Sequence, residues 1–309
     1  MATEAKQLET PVLFMIFNRP ETTRRVFDEI RKAKPTKLFI AADGTRMNSP
    51  DDIENCRKTR EIVAGVDWPC EIKKLFREKN LGCKIGVSSA IDWFFEQVSE
   101  GIILEDDCLP DQSFFPFCAE LLERYRNNER VMMISGDNFQ RGIIRGQASY
   151  YFSIYNCIWG WATWKRAWSL YDVSMKSFPD FKRNGAIKTI LKNRQDQKHW
   201  LDMLDAAYDG KIDTWDRQWT YSIWDHDGMC IVPNANLVTN IGYGDDATHT
   251  KTYDKDRADL ATEPMGALKH PSNVAIDGEA DEYFGIQSRT TLFMKVVCKL
   301  KMLAKRKNT

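Results

Sequence analysis

Gly101 to Pro110 reads GIILEDDCLP, an apolar run that stops at three consecutive acids, Glu105, Asp106 and Asp107. Ile102, Ile103 and Leu104 have the β-branched, wholly apolar character of a strand covered on both faces, as in a parallel sheet. Carboxylates at the C-terminal end of such a strand sit where α/β sheets bind ligands. Neighbouring like charges raise one another's proton affinity unless a cation or hydrogen-bond donors offset them. A divalent metal with oxygen ligands would do so, and a polar loop after a core strand is the alternative.

Working outward, the run is one of several strands that end in polar residues. PVLFMIF at Pro11 to Phe17 stops at Asn18-Arg19-Pro20, and a helix is predicted over about Glu21 to Lys34. KLFIAA at Lys37 to Ala42 stops at Asp43-Gly44-Thr45-Arg46, and a helix through Val63 and a more polar strand, CEIKKLF at Cys70 to Phe76, follow. Asn80-Leu81-Gly82 opens a helix predicted over Lys84 to Val98, which feeds the acid-ended strand. Beyond the acids come a helix at about Phe114 to Asn127 and the strand VMMIS at Val131 to Ser135, ending in Gly136-Asp137-Asn138. Tyr150 to Trp164 is aromatic, with strand character in its first half; Phe178 to Asp209 carries helical pieces; a helix runs from Trp215 to about Asp225; and Cys230 to Val232 reads as a strand. This alternation predicts an α/β fold with a mainly parallel sheet flanked by helices, whose loops after the strands meet along one edge.

The 309 residues allow one large α/β domain with appended segments or two modest domains. Basic and acidic residues balance at 44 each, so no whole-protein field points to nucleic acid. The eight cysteines form no CxxC pair, which predicts reduced thiols of a cytoplasmic protein. MATEAKQLET has no apolar core of a leader and no stretch reaches bilayer-spanning length, so the chain is expected to be neither secreted by a standard signal nor membrane-spanning. Thr291 to Lys307, TLFMKVVCKLKMLAKRK, places Leu292, Phe293, Val296, Val297, Leu300 and Leu303 opposite Lys295, Lys299, Lys305 and Arg306 on a helix. Such a basic amphipathic helix either docks on the body of the protein or lies on an anionic membrane surface.

In order and spacing, VLFMIFNRPETTRR (from Val12), LFIAADG (from Leu38), IILEDDCLPDQSFFPF (from Ile102), VMMISGDN (from Val131), IWGW (from Ile158) and WDRQW (from Trp215) resemble nucleotide-sugar glycosyltransferases of the GT-A fold, N-acetylglucosaminyltransferase I and related bacterial enzymes in particular. The likeness covers most of Pro11 to Thr250. It implies a GT-A catalytic domain over 1–250, with a nucleotide-binding part at about 11–110 and an acceptor part at about 111–250, then a polar segment at 251–289 and the basic helix at 290–309.

The resemblance implies a role for each matched residue. Asp107 is expected to ligate Mn2+ or Mg2+ on the diphosphate of a UDP-sugar, UDP-N-acetylglucosamine being a candidate. Glu105 and Asp106 are expected to contact the donor's sugar and ribose, Arg19 the nucleotide, Asp43 the uracil, and Asp137 the sugar or acceptor. Asp216 is expected to act as general base in an inverting transfer to a glycan or lipid-linked acceptor at the inner face of a membrane. The family has two acids after this tryptophan and the chain has one after Trp215, so Asp213 is the nearest substitute. Asp213 and Thr214 are also candidates to cap the helix that Asp216 begins. Gly242 to Thr250, with Asp246 and His249, corresponds to a region that closes over the donor. Lys84 is a candidate to neutralise phosphate, and Trp161, among Trp159, Trp164 and Trp168, to stack on an acceptor sugar. The competing readings are nucleotidyl transfer, which usually brings a glycine-rich basic loop that FNRPETTRR lacks, and a silent nucleotide- or sugar-binding module.

Overall fold

The computed structural model describes residues 7–47, 49–242 and 260–289. Five all-buried apolar residues form β1 (Val12–Ile16), and alternate side chains enter opposite layers. Val12, Phe14 and Ile16 join one core, whereas Leu13 and Met15 join the other. A strand so placed must be covered on both faces, and it is.

The sheet has eight strands in the order β3-β2-β1-β4-β8-β6-β9-β7. These are β2 (Lys37–Ala42), β3 (Glu71–Phe76), β4 (Glu100–Glu105), β6 (Val131–Ser135), β7 (Tyr150–Ser153), β8 (Trp161–Trp164) and β9 (Met229–Pro233). Strands β3, β2, β1, β4, β6 and β9 run one way, and only β8 and β7 run against them. The mainly parallel α/β sheet expected from the alternation is therefore present, with an antiparallel insertion at its centre. WATW at β8 lies between β4 and β6, pairing Ile103 with Trp161 and Ile134 with Ala162. A four-residue strand is too short to leave a periodic trace in sequence.

Helices α1 (Pro20–Ala33), α2 (Pro50–Ala64) and α4 (Phe114–Tyr125) cover one face through Val26, Ile30, Val63 and Leu121. Helices α3 (Gly82–Phe95), α8 (Arg194–Tyr208) and α9 (Asp216–Asp225) cover the other through Ile91, Phe94, Leu204, Trp219 and Ile223, with the short α5 (Lys165–Trp168), α6 (Phe178–Arg183) and α7 (Ile187–Ile190) beside them. A ribbon of β5 (Cys108–Pro110) and β10 (Val238–Asn240) pairs the chain just after the acids with the chain near residue 240. Residues 260–277 run back along the β7 side, where Ser149 N–H donates to Lys269 O and Asp277 N–H to Phe152 O. A helix over 278–289 follows. No helix among the described residues is long and apolar enough to cross a membrane, and the basic segment 290–309 lies outside them.

Candidate functional site

Parallel strands deliver their C-terminal loops to one edge, and there β4 brings its acids against the loop after β1. Met15 is in register with Glu105, so Phe17 and Arg19 lie beside the acids. The Phe17 N–H donates to Asp106 Oδ2 at 3.0 Å. Arg19 Nη1 donates to Asp107 Oδ2 at 2.7 Å and lies 3.9 Å from Asp106 Oδ1. Burial, then the charges of Asp107 and Asp106, pushes the Glu105 carboxyl well above the usual carboxylate range. Burial likewise raises Asp106, against the opposing pull of Arg19. Burial by itself would weaken the Arg19 guanidinium, and the combined charge of Asp106, Asp107 and Glu105 overcomes this and raises it.

Two neighbouring loops are locked together by a residue that sequence reasoning did not single out. Asp52, buried in the first turn of α2, accepts from Asn18 Nδ2 at 2.7 Å and from Arg46 N, Nε and Nη2 at 3.0, 2.7 and 2.8 Å. The Arg46 bonds hold its carboxyl well below the usual range despite burial. The loop after β1 is thus tied to the loop after β2. Asp43 in the second loop accepts from Leu81 N–H at 2.9 Å and Gly44 N–H at 3.0 Å. Burial raises its carboxyl, and those bonds and Arg77 oppose the rise. A carboxylate offers about four acceptor positions, so these bonds leave room for a ligand N–H.

Asp216 stands in the first turn of α9, where the helix dipole favours an acid. Thr214 Oγ1 donates to its Oδ1, and Arg217 Nη1 is 3.8 Å from its Oδ2. Its charge adds to the rise in the proton affinity of Glu105, after burial and the nearer acids. Asp213 does not cap α9. Its two oxygens accept from Cys83 N–H and Lys84 N–H at 2.8 and 2.9 Å, at the start of α3. The Lys84 ammonium pairs with no carboxylate among the described residues.

Asp137 lies 1 % exposed just after β6. Trp161 is also 1 % exposed and stacks on Trp215 with ring centroids 5.5 Å apart, so it belongs to the core rather than to an acceptor surface. A large apolar ring on a central strand is buried by the layer above it, which the IWGW motif alone does not reveal. The half-buried ring of that motif is Trp159, edge-on to Phe139 at 5.1 Å. Of the expected closing region only Gly242 is described; Asp246 and His249 lie outside the described residues. Gly242 rests directly on the acids' partner: a Cβ there would come within 2.5 Å of Arg19 Nη1 and 2.6 Å of Asp107 Cβ.

The donor set suits a divalent cation in type. Asp106 and Asp107 face one guanidinium with Glu105 next to them in the chain, and carboxylate oxygens are the hard ligands Mg2+ and Mn2+ take. No group of three His, Cys, Asp or Glu side chains that could hold a metal ion is gathered among the described residues. A surface depression of about 690 Å³ lined by Arg124, Tyr125, Asn127, Asn128, Glu129 and Arg130 lies at the opposite end of β6, away from these acids.

No protein-family model and no curated protein matches the sequence. Solved structures resemble the α/β architecture at low identity. HddC from Yersinia pseudotuberculosis is 8 % identical over 50 % of this chain and 77 % of its own, with a TM-score of 0.32. A UDP-glucose pyrophosphorylase complexed with UDP-glucose is 11 % identical over 47 % and 62 %, at 0.26. The 4-diphosphocytidyl-2C-methyl-D-erythritol synthase from Anaerococcus prevotii DSM 20548 is 9 % identical over 78 % and 97 %, at 0.40.

Proposed function

We propose that the chain is an inverting, metal-dependent glycosyltransferase that moves a sugar from a UDP-sugar to a hydroxyl of a glycan or lipid-linked acceptor. The observation that carries this reading is the acidic cluster at the C-terminal end of β4, where Arg19 from the loop after β1 holds Asp107 at 2.7 Å and the Phe17 N–H holds Asp106 at 3.0 Å. Inverting transfer needs positive charge at the departing diphosphate and a base at the incoming hydroxyl.

In this reading Asp107 holds Mg2+ or Mn2+, which would offset the charge of the departing diphosphate. Arg19 binds the nucleotide diphosphate from the other side of Asp107, Asp43 the base, and Glu105, Asp106 and Asp137 the sugar and ribose. Asp216 takes the acceptor's proton as its oxygen bonds to the anomeric carbon and the bond to the diphosphate breaks. Thr214 holds Asp216 Oδ1, which leaves Oδ2 for that proton. The basic segment 290–309 would keep the enzyme at an anionic inner membrane face.

A panel of nucleotide-sugars with and without Mn2+ tests the reading. Metal-dependent release of UDP is expected, abolished by Asp107→Ala, whereas Asp216→Asn binds donor and does not transfer. Pyrophosphate release from UTP and a sugar 1-phosphate, without UDP release from any nucleotide-sugar, would replace the proposal with nucleotidyl transfer. A product of retained anomeric configuration would remove Asp216 from its role.

A further inference from the structure

We propose that Asp213 is a positioning residue that staples the start of α3 to the segment leading into α9 and thereby sets the separation between the donor-side acids and Asp216. The inference rests on the transfer reading above. A helix leaves its first amides without intrahelical partners. In α3 the N-cap residue, Leu81, makes no side-chain cap, and the amides of Cys83 and Lys84 are taken by Asp213, 130 residues further on from Cys83.

The contact is built from both sides. Gly82 opens α3 at φ +76°, where side chains are rarely tolerated, and a Cβ there would come within 2.6 Å of Asp213 Oδ2. Backbone conformation and close approach both require glycine. On the other side, the Tyr171 hydroxyl donates to Trp215 O at 3.3 Å and Thr214 Oγ1 donates to Asp216, so the segment from 213 to 216 is held at successive points.

The staple ties the start of α3 to Asp213, three residues before Asp216 at the start of α9. Burial holds the Cys83 thiol protonated, reinforced by Glu105, Asp216 and Asp213 and opposed by the Trp215 backbone N–H. The positive end of α3 is neutralised by the chain's own acid, so the amides of Cys83 and Lys84 are not left to meet the donor's phosphate charge. Release of the staple leaves the donor-side acids in place and frees Asp216 to move relative to them.

Asp213→Ala and Gly82→Ala break this contact from opposite sides. Both are expected to lower kcat for transfer by about 100-fold, as a displacement of about 1 Å does, with donor KM and Kd changed by less than about twofold. Asp213→Asn keeps one acceptor oxygen and should fall between parent and Asp213→Ala. In Asp213→Ala the amides of 82–84 and 214–219 should exchange hydrogen faster, while those of β6 stay as in the parent. A folded Asp213→Ala with parental kcat, or one losing donor affinity in step with kcat, overturns the proposal. If the parent turns over no nucleotide-sugar, the transfer reading fails, and the exchange experiment still decides the staple: unchanged exchange in both segments removes it.

Discussion

Arg19 Nη1 lies 2.7 Å from Asp107 Oδ2, placing one guanidinium as the protein's own counter-charge to an acidic triplet whose middle member, Asp106, is buried. Removing it leaves the carboxylates uncompensated, which costs about 3 kcal/mol for a buried pair. Arg19→Ala should therefore be less stable than the parent by that order in metal-free buffer. Thermal melts with and without MnCl2 should show a larger metal-induced rise in the variant, because the cation replaces the lost charge. Equal rises in both proteins would detach the triplet from cation binding.

Gly242 touches that pair through its backbone, and Ile241 N–H donates to Asp107 O at 2.8 Å. A methyl group at 242 has to displace either the guanidinium or Asp107 itself. Gly242→Ala is expected to weaken donor binding by about tenfold, close to 1.4 kcal/mol, with little loss of global stability. Calorimetric titration with UDP and Mn2+ measures this, and parental affinity would mean that Arg19 yields without consequence for the ligand.

Asp52 links the loops after β1 and β2. Asp52→Ala removes a buried acceptor with charged and neutral donors around it, at a cost of about 2 kcal/mol, moderated because Arg46 is half exposed. Urea unfolding checks the loss. The same variant should bind UDP more weakly, since Arg19 follows Asn18 in the loosened loop; unchanged affinity would show that Arg19 is held by the acids alone.

Asp281 gives the fold a pH dependence away from the site. It accepts from Ser153 Oγ at 2.5 Å and Ile154 N–H at 3.3 Å, and burial pushes its carboxyl up to about 7. An unfolded aspartate titrates at about 3.9, so between that value and about 7 the folded protein holds a proton the unfolded chain has released. Stability is then present at low pH and lost as pH rises through about 7, by about 4 kcal/mol across the window. Asp281→Asn should remove this component. Denaturation at pH 5 and pH 8 should show the parent losing more stability than the variant, and parallel losses would reject the assignment.

Strand and helix positions were legible along the chain because burial on two faces writes itself as unbroken apolar runs: β1, β2, β4 and β6 fall where VLFMI, KLFIAA, GIILE and VMMIS predict them. The acid-ended strand was legible for the same reason, a core run stopping abruptly at charge. The sequence alone thus determined the α/β class, the mainly parallel sheet and the edge at which its polar loops gather. Only tertiary structure decided that WATW enters the middle of that sheet and takes Trp161 into the core. It also decided that Asp213 serves α3 rather than α9, that Asp52 joins two loops, and that Gly242 rests on Arg19 and Asp107. Local pattern records which face of a segment avoids water; it holds no record of a partner that the fold brings from 34 or 130 residues away.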